Sequence, residues 1–103
     1  MDWETAAQGF AAMGSESRLQ VLRTLVRAGE DGLTVGEIQT RTGIAPSTLA
    51  HHLRFMAAAG LISQAKSGRT VFCQAQLDHL EDLAKFILGE CCDEVPKGDA
   101  NDG

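Results

Sequence analysis

Apolar side chains recur about every three to four residues in five segments of the chain, which is the spacing of amphipathic helices. The predicted helices cover residues 2–13, 15–28, about 34–42, 46–59 and 77–92. Two shorter apolar runs, 61–62 and 71–73, flank the turn-forming sequence KSGR and predict a β-hairpin. The last helix has the widest apolar stripe, which consists of Leu77, Leu80, Leu83, Ala84, Ile87, Leu88 and Cys91.

Polar residues at the starts of these segments support the helix boundaries. Ser15 is suited to cap the second helix, and Thr34 with Glu37 three residues later forms a predicted capping box. Pro46 suits the first position of the fourth helix, where a missing N–H costs nothing. The order of elements predicts a mainly α fold with one β-hairpin (α-α-α-α-β-β-α), a winged helix-turn-helix. We assign residues 1–94 to this domain and residues 95–103 to a polar, flexible tail.

The charge distribution changes what the net charge of −5 suggests about partners. Residues 18–69 carry seven basic and three acidic side chains, whereas the remaining residues carry two basic and eleven acidic ones. A basic middle between acidic ends is compatible with nucleic-acid binding. The absence of a long apolar run or a basic leader, together with three cysteines, predicts a cytoplasmic protein with reduced thiols and no membrane contact.

The fourth predicted helix has one face suited to DNA. Leu49, Leu53, Met56 and Ala57 fall on the side that faces the domain. Small hydroxyls and hydrogen-bonding side chains near the start of a helix can contact phosphates and base edges. Together with the hairpin tip, the candidate DNA-binding residues are Ser47, Thr48, His51, His52, Arg54, Lys66 and Arg69. A metal site at His51-His52 is disfavoured because adjacent helical residues point about 100° apart.

Three stretches, SESRLQVLRTL, LTVGEIQTRTGIAPSTLAHHLRFMAAAGLI and SGRTVFC, resemble the ArsR/SmtB family of bacterial metalloregulatory repressors. The resemblance covers about residues 5–92. It implies a homodimer formed through the first and last helices, binding to a dyad-symmetric double-stranded operator, and release when an inducer binds. Trp3, Phe10 and the wide last stripe offer more apolar surface than so small a core hides, which also favours a partner. Ala45 departs from the capping serine of many members.

The sequence GECCDE places two adjacent cysteines, Cys91 and Cys92, at the predicted end of the last helix. The third predicted helix, TVGEIQTRTG, has no cysteine, so the family's arsenic site on that helix is absent. Asp78 and His79 supply only part of the family's zinc-type site. The vicinal pair instead resembles the C-terminal arsenic-sensing arrangement, and thiolates suit soft ions such as trivalent arsenic or antimony.

We therefore predict Cys91 and Cys92 as metalloid ligands, with Cys73 or His79 of the partner subunit, or a small cellular thiol, as the third. Arsenite or antimonite is the expected inducer, and no obligatory cofactor is expected. Other hypotheses remain: redox or persulfide sensing, in which Cys73 forms a bond with Cys91 or Cys92; a zinc, cadmium or lead sensor; and cysteines that only fill the core. A small dithiol oxidoreductase is disfavoured, because no C-x-x-C motif or activating base is present, and the protein is predicted not to be an enzyme.

Overall fold

The computed structural model describes residues 1–96. It contains five α-helices, one 3₁₀ turn at Gly29–Asp31 and one three-stranded sheet. The helices are α1 (Trp3–Ala12), α2 (Glu16–Ala28), α3 (Val35–Thr42), α4 (Pro46–Ala58) and α5 (Leu77–Leu88), and the strands are β1 (Leu33–Thr34), β2 (Ile62–Ser67) and β3 (Thr70–Ala75). Helices α3 and α4 with the β2–β3 hairpin form the predicted winged helix-turn-helix. Of the predicted polar tail, residues 97–103 lie outside the described part of the chain.

The predicted helix starts are present in the structure. The Ser15 hydroxyl accepts a hydrogen bond from the Arg18 amide at 3.1 Å. Thr34 and Glu37 form the predicted capping box, with reciprocal bonds of 3.1 and 2.9 Å, and these bonds lower the pKa of the Glu37 carboxyl. Helix α4 begins with Pro46 and no side-chain cap at Ala45, so its N-terminal amides remain free to contact another molecule.

The sheet is larger than the sequence pattern suggested. Strand β1 was not predicted; it pairs antiparallel with β3, placing Leu33 opposite Cys73. The hairpin strands are six residues each, with Ser67 opposite Thr70, so the turn consists of Gly68 and Arg69 alone. The residues by which β2 and β3 extend beyond the predicted apolar runs are mostly polar. They do not show the apolar alternation that marks a half-buried strand.

The core lies between α2, α3, α4 and the sheet. Its largest fully buried side chains are Leu25, Ile38, Leu49, Leu53, Met56, Leu61, Leu83, Val21 and Cys73. Helix α1 packs on this core through Ala6, Gly9 and Ala12. A methyl group added at Gly9 would lie 2.8 Å from a Leu83 methyl, so the glycine sets how closely α1 approaches α5.

The predicted end of the last helix is wrong. Helix α5 ends at Leu88, not at residue 92, and residues 89–95 form turns in which the Cys91 amide bonds to the Leu88 carbonyl. Cys92 has a φ of 67°, which no α-helix permits. Cys91 is therefore exposed beyond the helix rather than part of its apolar stripe, and the hypothesis that Cys91 and Cys92 only fill the core is wrong for this chain. The apolar spacing in the sequence continues past Gly89 to Cys91, but the helical conformation of the backbone ends at Leu88.

Candidate nucleic-acid interface and thiol site

Helix α4 presents one polar face to solvent because its other face is anchored. Leu49, Leu53 and Met56 are buried in the core at helical spacing. The opposite face exposes Ser47, Thr48, His51 and Arg54, four of the predicted DNA-binding residues. The helix rises about 1.5 Å per residue, so Ser47 and Arg54 lie about 10 Å apart along it. This length suits a few adjacent base pairs in a major groove.

His52, the fifth predicted residue of this helix, has different surroundings. Its side chain is half-buried, and its Nδ1 atom is buried without a hydrogen-bond partner among the described residues. Burial, followed by the nearby charges of Arg18 and His51, lowers the pKa of the His52 imidazole. The ring centroids of His51 and His52 are 6.3 Å apart and tilted by 49°. His52 therefore lies at the half-buried side of the exposed face, where its surroundings favour the neutral imidazole.

Arg18 holds three helices together, a role that the sequence did not reveal. Its Nε donates to the Ala12 carbonyl at 2.6 Å, and its terminal nitrogen donates to the Ala11 carbonyl at 3.4 Å. The guanidinium also lies 5.0 Å from the centroid of the Phe55 ring, a cation–π contact with α4. One side chain of α2 thus connects the end of α1 to the helix that carries the candidate DNA-binding face. The exposed Phe55 was the available signal, since a large ring on a polar face usually has a partner.

The hairpin tip carries the remaining predicted cations. Lys66 lies in β2 opposite Val71, and Arg69 is the second residue of the turn. Both side chains are exposed. Gly68 has a φ of 63°, the left-handed conformation that a two-residue hairpin turn requires. The wing therefore ends in a tight turn with two free cations beside it, a form that suits contact with DNA phosphates.

The vicinal cysteines form a compact thiol pair. Their Sγ atoms are 3.2 Å apart, well beyond a disulfide bond of about 2.05 Å, so both thiols are free. An ion about 2.3 Å from each sulfur would bind this pair with an S–ion–S angle of about 90°. The contact with Cys91, and secondarily burial, raises the pKa of the Cys92 thiol. The left-handed backbone at Cys92 is unusual for a residue with a side chain.

The structure does not bring a third ligand to the pair within one chain. No group of three metal-binding side chains occurs among residues 1–96. Cys73 is fully buried in β3, where Gln64 Nε2 lies 3.7 Å from its sulfur and burial raises its pKa. His79 packs its ring against Gly60, and its Nε2 is buried. His79 is also ten residues before Gly89, about 15 Å along the chain direction of α5.

An apolar surface next to the thiol pair is left uncovered. Trp3 is 82% exposed, Ile87 62% and Leu88 64%, and the Trp3 ring meets Phe86 edge-on with centroids 5.0 Å apart. These side chains of α1 and α5 define the α1–α5 face.

The part of the chain that the structure describes has no helix long and apolar enough to cross a membrane.

Comparison with known proteins identifies the class. A family model described as a helix-turn-helix domain matches residues 13–65, just over half of the chain. The HTH-type transcriptional regulator YceK of Bacillus subtilis, itself uncharacterized, is 34% identical over 77 residues, covering 75% of this chain and 76% of that protein. The transcriptional activator HlyU of Vibrio cholerae is 38% identical over 61 residues, 59% of this chain and 54% of that protein.

Solved structures agree with this class. An ArsR-like transcriptional regulator from Rhodococcus superposes with a TM-score of 0.76 at 26% identity, covering 95% of this chain and 89% of the other. The chain belongs to the helix-turn-helix transcriptional regulators, and its structure is similar to that of an ArsR-like member of this class. The resemblance noted from the sequence is thus confirmed as far as the class of helix-turn-helix transcriptional regulators, as is the expectation that the protein is a regulator and not an enzyme. The cysteine-based arsenic-sensing subtype is not established by these relatives.

Proposed function

We propose that the protein is a homodimeric repressor that releases its operator when arsenite or antimonite binds to Cys91 and Cys92. The observation that carries this proposal is the position of the thiol pair: both sulfurs are exposed, 3.2 Å apart and outside the core. Nothing in the folding of the domain requires two thiols there. Thiolates bind soft, thiophilic ions, so the pair is suited to trivalent arsenic or antimony. In a reducing cytoplasm both thiols would be available.

DNA binding is proposed through α4 and the wing. Ser47, Thr48 and His51 enter the major groove, with His52 at the edge of that surface, while Arg54, Lys66 and Arg69 neutralise phosphates. The exposed hydroxyls near the uncapped start of α4 support this assignment. A dimer would place two α4 helices on half-sites related by a dyad, about one helical turn or a multiple apart.

Dimerisation is proposed through the α1–α5 face. Trp3, Ile87 and Leu88 are too exposed for a finished apolar core, and a second copy would cover them. The thiol pair follows α5 directly, so an ion bound there lies beside the dimer contact. If the two α5 helices cross antiparallel, the start of the partner's α5 approaches the pair, which makes His79 of the partner subunit the more accessible protein candidate for a third ligand. The buried Cys73 would have to leave the sheet, and a small cellular thiol is the remaining candidate.

The proposed mechanism is a change in the relative position of the two α4 helices. Ligation of Cys91 and Cys92 alters the turns after α5 and hence the α1–α5 face. Arg18 connects α1 to α4 through Ala11, Ala12 and Phe55, which gives the change a physical route to the reading helix. A coupling of about 1–3 kcal/mol is typical between such sites. The bound ion need only favour the dimer geometry that fits the operator less well.

A redox or persulfide sensor is the second candidate, and the same 3.2 Å contact favours it. Oxidation would join the sulfurs of Cys91 and Cys92 in a disulfide, with two protons released and two electrons passing to the oxidant. A persulfide donor would instead transfer its outer sulfur to one of the two thiolates and leave as its own thiolate. A disulfide from Cys73 is disfavoured by its complete burial. Zinc, cadmium or lead would need more protein ligands than this pair, since structural zinc sites usually have four.

The experiment is fluorescence anisotropy of the reduced protein on a dyad-containing duplex from its own upstream region. Arsenite, zinc, a mild oxidant and a persulfide donor are titrated in parallel. The proposal predicts that arsenite releases the DNA and that Cys92→Ser prevents release, whereas Cys73→Ala retains it as the matched control. Release by the oxidant or persulfide donor alone would establish the second candidate and overturn the arsenite proposal.

Repression itself needs a separate measurement, because HlyU is named as an activator. A reporter under the protein's own upstream region is compared with and without the intact gene, each with and without arsenite. Repression predicts that loss of the gene raises expression to the arsenite-induced level. A fall in expression on loss of the gene would show that the protein activates transcription.

A further inference from the structure

A groove between α2 and α3 concentrates positive charge on a surface outside the predicted DNA-binding set. The groove has a volume of about 470 Å³ and is lined by three arginines, Arg23, Arg27 and Arg41, with Leu19, Thr24 and Thr42 between them. All three arginine side chains are exposed. Arginines four residues apart on α2 lie on one face, and Arg41 approaches them from the last turn of α3.

These arginines form no direct ion pair in the described structure, although the charge of Arg41 acts on the Glu37 carboxylate one turn earlier in α3. The one ion pair among residues 1–96 is between Lys85 and Glu81 on α5. Glu16 lines the far end of the groove but forms no ion pair with the arginines. Guanidinium groups bind phosphate oxygens with two parallel hydrogen bonds, and a cluster of unpaired ones is suited to an anionic partner.

The distribution of basic side chains supports a role for the groove in binding an anion. Of the seven basic side chains in residues 18–69, Arg18 is engaged with the carbonyls of α1 and the Phe55 ring. Three of the remaining six lie in the groove, and only Arg54, Lys66 and Arg69 serve α4 and the wing. A chain with a net charge of −5 that binds DNA must gather its cations at the phosphates, and half of those available are in the groove.

We propose that the α2–α3 groove is a second phosphate-binding surface, which contacts the DNA backbone flanking the half-site that α4 reads. The proposal rests on the proposed DNA-binding function. Thr42 lines the groove, and Ser47 begins the exposed face of α4 only five residues later. Five residues span at most about 18 Å, and successive phosphates of one strand rise by about 3.4 Å along the helix axis. The Thr42 edge of the groove is therefore within about five base pairs of the start of α4.

The test compares two duplexes with the same dyad, one ending at the half-sites and one extended by about six base pairs on each side. Anisotropy is measured over a range of salt concentrations. Wild-type protein should bind the extended duplex more tightly and with a steeper dependence of log affinity on log salt. Each lost phosphate contact lowers that slope by about 0.9, so Arg41→Gln, which removes two contacts per dimer, should lower it by about 2 on the extended duplex only.

The triple variant Arg23→Gln, Arg27→Gln, Arg41→Gln should bind the two duplexes equally. Glutamine keeps the helix propensity of these exposed positions, so folding is not at risk. Lys85→Gln removes the same charge elsewhere and should retain the preference for the longer duplex. The proposal is overturned if wild-type protein binds both lengths equally, or if the arginine variants lose the same affinity on both. If wild-type protein binds neither duplex, the proposed function itself fails.

Discussion

The two halves of this molecule, the α2–β3 segment and the pair of helices α1 and α5, differ in how completely they bury their apolar side chains. The segment from α2 to β3 has a closed core, in which Leu25, Ile38, Leu49 and Met56 are fully buried. Helices α1 and α5 pack against that core through small residues and through Leu83, the one buried side chain of α5. Trp3, Ile87 and Leu88 of these helices remain exposed. The half with the candidate DNA-binding surface thus folds around its own interior, while the other half presents a surface that a partner would complete.

The cysteines follow the same division. Cys73 is buried in the sheet of the α2–β3 half, whereas Cys91 and Cys92 are exposed just after α5, in the other half. A chemical signal arriving at the exposed pair would act where the structure has the fewest internal constraints. In the proposed mechanism, the α1–α5 face, rather than the part of the chain that carries α4, is therefore the element expected to respond to the proposed inducer.

The largest expected effect comes from placing a charge on the α1–α5 face. Ile87→Glu should convert the dimer to a monomer, because a carboxylate is costly to bury in an apolar contact. Since the two half-sites would no longer be bound together, affinity for the dyad duplex should fall by about 100-fold or more. Sedimentation and anisotropy measure the two effects.

Val26→Glu is the matched control, since Val26 is 41% exposed on α2, in the α2–β3 half. It should leave the oligomeric state unchanged. If Ile87→Glu remains a dimer with undiminished affinity, the two halves do not differ as described and the dimer forms elsewhere.

A smaller effect distinguishes the two kinds of cysteine. Cys73→Ser should lower the free energy of unfolding by about 1–3 kcal/mol, because it puts a hydroxyl into a buried, mostly apolar site. Cys91→Ser should change it by less than about 0.5 kcal/mol, as exposed substitutions usually do. Urea unfolding at equal protomer concentration measures both. Equal losses would mean that the vicinal pair also contributes to folding.

The smallest effect concerns the acidity of the pair. Contact with Cys91 raises the pKa of Cys92, so fewer Cys92 thiolates exist at a given pH than in an isolated thiol. Cys91→Ala should lower that pKa, shift the pH profile of Cys92 alkylation to lower pH and speed the reaction at pH 8. Mass spectrometry after timed iodoacetamide treatment follows the reaction, and an unshifted profile would exclude a contact between the thiols in solution.

Most of the fold could be predicted because its local signals agree with its packing. Ser15, Thr34 and Pro46 mark helix starts by capping chemistry, and the buried face of α4 follows from its period. Strand β1 could not be predicted, since two residues have no period. It forms because Gly32, with a φ of 67°, approaches the Cys73 carbonyl more closely than any side chain would allow.

The site was less predictable, because it depends on tertiary contacts. The polar face of α4 follows from helical geometry, but the lowered pKa of His52 depends on burial and on the charge of Arg18 in α2, and the hydrogen bonds of Arg18 depend on where α1 ends. The apolar period of α5 continues to Cys91, so sequence reasoning extended the helix over the pair. Only the turns after Leu88 separate these thiols from the core.

The most direct test of the central claim, that the thiol pair and the DNA-reading surface are coupled, is reciprocal binding. Arsenite affinity of the reduced dimer is measured by calorimetry with and without saturating operator duplex. Linkage requires that DNA weaken arsenite binding by the same factor, about 5- to 150-fold, by which arsenite weakens DNA binding. We expect equal factors, both lost in Cys92→Ser. Unchanged arsenite affinity in the presence of DNA would contradict it.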